Sequence, residues 1–125
     1  MLLVDSSVII AAFRENEAHH QDALALLQAD SAFFVPSCVL SECATVLKLR
    51  EGFEVATKCM EFLLQNTDFS VLHIDRKIFV KATEFFIGHD NDLSFVDTVL
   101  LILADSLDAP VATFDKDLQK ALQAC

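Results

Sequence analysis

Four acidic side chains stand in apolar stretches of this sequence: Asp5, Glu42, Asp97 and Asp115. Asp5 follows Leu2-Leu3-Val4 and Asp115 closes Val111-Ala112-Thr113-Phe114, so two carboxylates fall where short buried strands would finish. Glu42 and Asp97 fall early in helical patterns that open after a strand or loop, a placement that brings them to the same edge. Open α/β sheets bind their ligands at that edge. Carboxylates gathered there repel one another unless a cation holds them, and their oxygens suit a hard divalent ion, Mg²⁺ or Mn²⁺. The chemistry such a site supports is phosphodiester hydrolysis. One ion, or two about 4 Å apart, would activate water and stabilise the leaving oxygen.

Each acid also has a plainer role open to it. Asp5 fits an Asx turn or the N-cap of a helix beginning near Ser7, and Asp115 fits the N-cap of the last helix, with Asp117 in its first turn. Ser94-Phe95-Val96-Asp97 matches the [ST]-x-x-[DE] pattern of a capping box, although Leu93, Leu100, Leu101 and Ala104 share the helical face of Asp97. Glu42 has Cys38, Val39 and Val46 three or four residues away, so it either borders a cleft or snorkels out from the core. Capping explains each acid singly but not why all four should converge on one sheet edge, and convergence is what metal chemistry needs.

Positioning these groups falls to short apolar segments separated by helical periodicity. Leu2 to Val4, Phe33 to Val35, Phe69 to Leu72 and Val111 to Thr113 read as buried strands. Helices are expected at about Ser7 to Phe13, Ala18 to Gln28, Ser37 to Arg50, Phe53 to Leu64, Arg76 to Ile87, Ser94 to Leu107 and Lys116 to Leu122. Alternation of this kind implies a three-layer α/β/α sandwich around a mainly parallel sheet, with right-handed crossovers. With two glycines, two prolines and no linker, residues 1–125 are expected to form a single domain.

Composition narrows the function classes. A 54% hydrophobic content excludes a disordered chain, yet no apolar run approaches the roughly 18 residues of a membrane span. The start has no basic leader or long apolar stretch, so a signal peptide is not expected and a cytoplasmic location is. A formal charge of −10 argues against broad electrostatic attraction to nucleic acid, leaving any such contact local. Cys38, Cys43, Cys59 and Cys125 lack C-x-x-C spacing and read as free, mostly buried thiols rather than a zinc site. His19, His20, His73 and His89 form no spaced pair near the acids and receive no role; Asp90 and Asp92 read as loop polarity. Eleven phenylalanines without Trp or Tyr read as core filling, not as a base-stacking platform.

The ordered motifs Leu3-Val4-Asp5-Ser6-Ser7, Val39-Leu40-Ser41-Glu42, Leu93-Ser94-Phe95-Val96-Asp97 and Thr113-Phe114-Asp115-Lys116-Asp117 together resemble the PIN-domain ribonucleases, most of all the VapC-like toxins of type II toxin–antitoxin systems. The resemblance spans essentially the whole chain. It implies a Mg²⁺- or Mn²⁺-dependent endoribonuclease with one or two ions per site, an RNA substrate, frequent homodimerisation, and a small antitoxin whose C-terminal segment enters the site. Carried over by position, Asp5, Glu42, Asp97 and Asp115 match the acidic quartet, with Asp5 and Asp97 foremost as metal ligands. Ser6 and Thr113 match accessory hydroxyls. Asp108-Ala109-Pro110 stands where the family commonly has a glycine before the last strand. Two other readings stay open: a PIN-like RNA- or protein-binding module without catalysis, and a Mg²⁺-dependent phosphoacceptor or phosphatase. The latter is disfavoured because no second acid follows Asp5-Ser6-Ser7 in D-x-D fashion.

Overall fold

A computed structural model describes residues 1–29 and 32–124. Four strands run β1 (Leu2–Val4), β2 (Phe33–Pro36), β3 (Phe69–Leu72) and β4 (Val111–Ala112). The helices are α1 (Ser6–Ala12), α2 (His20–Ala29), α3 (Ser37–Glu51), α4 (Phe53–Gln65), α5 (Arg76–Gly88), α6 (Phe95–Leu107) and α7 (Lys116–Ala124). The expected elements are all present, displaced by at most two residues at any end.

The strands pair in the order β3-β2-β1-β4, all parallel, in register Leu3 to Phe34, Leu3 to Val111 and Phe34 to Ser70. Strands this short and continuously apolar suit a sheet covered on both faces, where alternation has no solvent side to serve. The chain winds outward from β1 through β2 to β3, then crosses back to place β4 on the other side of β1. Strand order therefore reverses between β1 and β4, and Asp5 and Thr113 follow those two strands directly. That crevice is where a doubly wound sheet binds ligands. Helix α1 packs on α2 and α3, and α3 on α4; α6 packs on α5 and α7, which gives one helical layer on each side of the sheet.

Leu3, Val4, Val8, Ile9, Phe33, Val35, Val39, Leu47, Val99, Leu100 and Leu118 are fully buried and tie the two layers to the sheet. Of the phenylalanines, Phe33 and Phe69 are buried and stacked with ring centroids 4.7 Å apart, but Phe53, Phe62, Phe79 and Phe86 are exposed. The expectation that phenylalanine serves as core filling therefore holds for only part of the set. Helical periodicity identifies the apolar face of α4 or α5 without telling whether this chain itself covers the margins of that face. Cys38 is half-buried and Cys43 and Cys59 are buried, all as free thiols; Cys125 lies outside the described residues. Burial pushes the Cys59 thiol up to about 12 and raises Cys43 and Cys38 as well, which keeps them protonated and chemically quiet.

Two backbone positions carry testable strain. Gly52, between α3 and α4, has φ 97° and ψ 171°, a region open essentially to glycine alone. An added Cβ there meets no heavy atom within 4 Å, so the penalty for Gly52→Ala is purely conformational. We expect it to destabilise the fold by about 1–3 kcal/mol in urea titration with an unchanged m-value. Asp108 caps α6 in the left-handed region at φ 50° and ψ 48°, where its amide donates back to the last turn of the helix. It lies in the Asp108-Ala109-Pro110 segment, where the resemblance implies a glycine; the turn forms without one because, after glycine, a short polar side chain tolerates this conformation best. Its carboxylate also sits at the negative end of the helix dipole. Asp108→Gly relieves both and is expected to raise stability by about 1 kcal/mol in the same titration.

Candidate active site

Three of the four acids are held by helix capping. Asp5 is the N-cap of α1: its Oδ1 accepts the Ser6 amide at 2.8 Å. Asp115 precedes α7 and its Oδ1 accepts the Leu118 amide at 3.0 Å. Asp97 closes the capping box of α6, with the Ser94 amide donating to its Oδ2 at 3.0 Å and its own amide donating to Ser94 Oγ at 3.1 Å. For Asp5 and Asp115, capping and convergence, which the sequence presents as rivals, are the same arrangement. A carboxylate that caps a helix starting after a parallel strand is delivered to the carboxyl edge of the sheet. The positive helix end then lowers the energy of its charge.

A continuous chain of hydrogen bonds joins three of the acids. Asp5 is only 2% exposed, and its Oδ2 accepts from Thr113 Oγ1 at 2.7 Å and from Ser7 Oγ at 2.8 Å. Both hydroxyls are themselves oriented by amides: Asp115 N–H donates to Thr113 Oγ1 at 3.0 Å, and Phe114 N–H donates to Ser7 Oγ at 3.0 Å. On the other side Ser6 Oγ donates to Glu42 Oε1 from the second turn of α3. Gln119 Nε2 donates to the Thr113 carbonyl at 2.7 Å and fixes the end of β4. Glu42, Ser6, Asp5, Thr113 and Asp115 thus form one network, with Ser6 and Thr113 in the positions expected of accessory hydroxyls.

Asp97 stands apart from that network but within its field. It is 8% exposed, and burial, followed by the charges of Asp5 and Asp115, raises its carboxyl above the ordinary Asp range against the lowering effect of the Ser94 amide. Among the described residues the ion pairs are Arg14 with Glu17 and Glu51, His19 with Asp22 and Lys58 with Glu54. None of these cations reaches the four acids. Asp90 and Asp92 are exposed in the turn before α6.

Three further side chains border the site and carry no signal in the sequence. Ser7 shares the Asp5 clamp equally with Thr113, yet nothing in Asp5-Ser6-Ser7 distinguishes the two serines. His19 stacks on Phe114 with ring centroids 4.5 Å apart and planes 12° from parallel. Arg14 is held between Glu17 at 3.3 Å and Glu51 at 3.1 Å. The His19–Phe114, Arg14–Glu51 and Ser7–Phe114 contacts join residues so distant along the chain that local spacing does not show them.

The sequence profile of the PIN domain matches residues 2–122. The chain belongs to the PIN domain family. Among solved structures, this PIN domain is similar to the Mycobacterium tuberculosis toxin VapC20, which cleaves the sarcin–ricin loop: 26% identity, TM-score 0.89, covering 97% of this chain and 95% of that one. It shares its fold with FitAcB from Neisseria gonorrhoeae, at 19% identity and TM-score 0.70 over 98% of this chain and 94% of that one. It also shares it with VapBC2 from Rickettsia felis, bound to a DNA fragment from their promoter, at 12% identity and TM-score 0.69 over 96% and 92%. No match is found among curated proteins. The three-layer architecture read from the sequence is that of this family. No helix among the described residues is long and apolar enough to cross a membrane.

The donor set of this PIN domain fits a hard cation in kind: carboxylate and hydroxyl oxygens only, with no thiolate or imidazole among them. No three Asp, Glu, His or Cys side chains among the described residues close into a ready-made cage. An open set of this sort suits Mg²⁺, which keeps several waters and touches one or two carboxylates.

Proposed function

We propose that this chain is a Mg²⁺- or Mn²⁺-dependent endoribonuclease acting as the toxin of a toxin–antitoxin pair, with residues 1–125 working as one domain. The observation that carries this reading is the buried Asp5 carboxylate. It is clamped at the strand-order reversal and lies close enough to Asp97 and Asp115 to share a field, and no Lys, Arg or His among the described residues forms an ion pair with the group. Asp5 and Asp97 would hold the ion, with Glu42 and Asp115 supplying further oxygens. The bound ion would supply a nucleophilic water and charge stabilisation at the leaving oxygen.

The chain's own residues do the positioning. Thr113 and Ser7 fix the orientation of Asp5 by donating to one of its oxygens. Ser6 holds Glu42 toward the same edge, and the helix-capping hydrogen bonds of Asp5, Asp97 and Asp115 keep those carboxylates from retreating to solvent. Products with 5′-phosphate and 3′-hydroxyl ends are expected.

An antitoxin would neutralise the acids with a basic side chain, and the complexes of the fold neighbours support a protein partner of that type. Exposed Phe79, Val80, Phe86 and Ile87 on α5, with Leu49, Phe53 and Leu64 on α3 and α4, support a homodimer, which light scattering of the purified chain tests directly. For the enzymatic reading, a panel of structured RNAs incubated with Mg²⁺, Mn²⁺ or EDTA should show cleavage in the first two only. Cleavage that persists in EDTA overturns the metal assignment.

A further inference from the structure

Beside the acids lies a cavity of about 400 Å³ whose walls include Ser7, Arg14, His19, Arg50, Phe114 and Asp115. It opens between α1, the turn that follows it, the end of α3 and the loop after β4, so it shares Ser7 and Asp115 with the acidic network. Its back wall is anchored there too, because the amide of Phe114 is bound to Ser7 Oγ at 3.0 Å. Stacked on Phe114, the His19 ring is half-exposed and presents a flat face. Arg14 is immobilised by two carboxylates and contributes a fixed planar group. Arg50 pairs with no acid among the described residues.

The cavity has a size and a set of flat and polar side chains that select its occupant. Its volume lies at the small end of ligand sites, suited to one nucleotide unit and too narrow for a duplex. Single-stranded RNA is recognised by stacking splayed bases on aromatic, histidine and guanidinium planes, with nearby cations on the phosphates. Of the two arginines that line the cavity, Arg14 is paired with Glu17, which also lines it, and with Glu51, so Arg50 is the cation available to a phosphate there.

We propose that this cavity is a nucleotide subsite: one unpaired base of the RNA stacks on the His19–Phe114 pair, and Arg50 contacts the adjoining phosphate. The inference rests on the ribonuclease reading and names the part of the substrate that the site grips, an unpaired nucleotide flanking the scissile bond. His19 and Arg50 are positioning residues, fixing register without entering the chemistry.

The test uses RNA hairpins labelled with fluorescein and carrying 2-aminopurine in the loop, titrated into the Asp97→Asn chain so that binding is read without cleavage. Binding should quench the 2-aminopurine. In that background His19→Ala should weaken affinity about tenfold and remove the quench, while His19→Phe, which keeps a flat ring, should restore both. Arg50→Ala should lower the salt dependence of log K by roughly 0.7 for the one phosphate released. Melting curves that match the parent's exclude misfolding as the cause. Unchanged RNA affinity in His19→Ala and Arg50→Ala overturns the subsite. If the wild-type chain still cleaves RNA with metal, the ribonuclease reading then stands and the cavity is left for a protein side chain. Absence of both RNA binding and metal-dependent cleavage overturns the two together.

Discussion

Asp97→Asn is expected to abolish RNA cleavage, by a thousandfold or so, while making the metal-free protein more stable. The activity loss follows from removing a full negative charge from the donor set, because the neutral amide oxygen of Asn binds a hard divalent cation far more weakly than a carboxylate does. The gain in stability follows from linkage. Burial and the charges of Asp5 and Asp115 raise the folded-state pKa of Asp97 above that of the unfolded chain. The native state therefore retains a proton that the unfolded state has already lost, and stability falls as pH rises through the interval between those two values. Above that interval the ionised group is a standing penalty that Asn does not carry. Asn can still accept the Ser94 amide, so the capping box survives.

In EDTA at pH 7 the variant should be more stable by about 1 kcal/mol, and the difference should shrink as pH falls below the ordinary Asp range. Added Mg²⁺ or Mn²⁺ should raise the melting temperature of the wild type and leave the variant nearly unmoved, because only a native state that binds the ion gains from it. A variant less stable than wild type in EDTA at pH 7 would contradict this picture of Asp97.

Thr113→Val is the second large effect, and it falls on stability and activity together. The hydroxyl is buried, donates to Asp5 Oδ2 at 2.7 Å and accepts from the Asp115 amide at 3.0 Å. An isosteric methyl leaves a buried amide without its acceptor and a buried carboxylate short of a donor. A penalty of about 2–3 kcal/mol is expected in urea titration. Because Thr113 joins two of the acids, its loss also frees both to move. Cleavage should drop by about 10- to 100-fold, as is usual when the groups that orient metal ligands are removed. Thr113→Ser keeps both hydrogen bonds and should recover most of the activity, which separates the role of the hydroxyl from that of the methyl group.

Much of this site is legible in the sequence because its acids follow strands and open helices, and both signals are local. Leu2-Leu3-Val4-Asp5 states a buried strand and its end within four residues, and Ser94 to Asp97 states a helix start. The order β3-β2-β1-β4 is not local: nothing in Val111-Ala112 announces that this strand pairs with Leu3 and Val4 and not with Phe69 to Leu72. The clamp on Asp5 depends on that pairing, since Thr113 reaches Asp5 only because β4 lies next to β1. His19 was invisible for the same reason. Its neighbours in sequence say nothing, whereas its partner Phe114 arrives from the far end of the chain. Histidines read by their spacing from one another were the wrong pairs to consider; the pair that forms is a histidine with a phenylalanine.

The most direct test is cleavage of a structured RNA panel by the purified wild-type chain and Asp97→Asn, each with Mg²⁺, Mn²⁺ or EDTA. The expected result is discrete cleavage by the wild type with metal, leaving 5′-phosphate ends, and none in EDTA or in the variant under any condition. Equal cleavage by wild type and variant, or cleavage indifferent to EDTA, would contradict a metal-dependent ribonuclease built on these four acids.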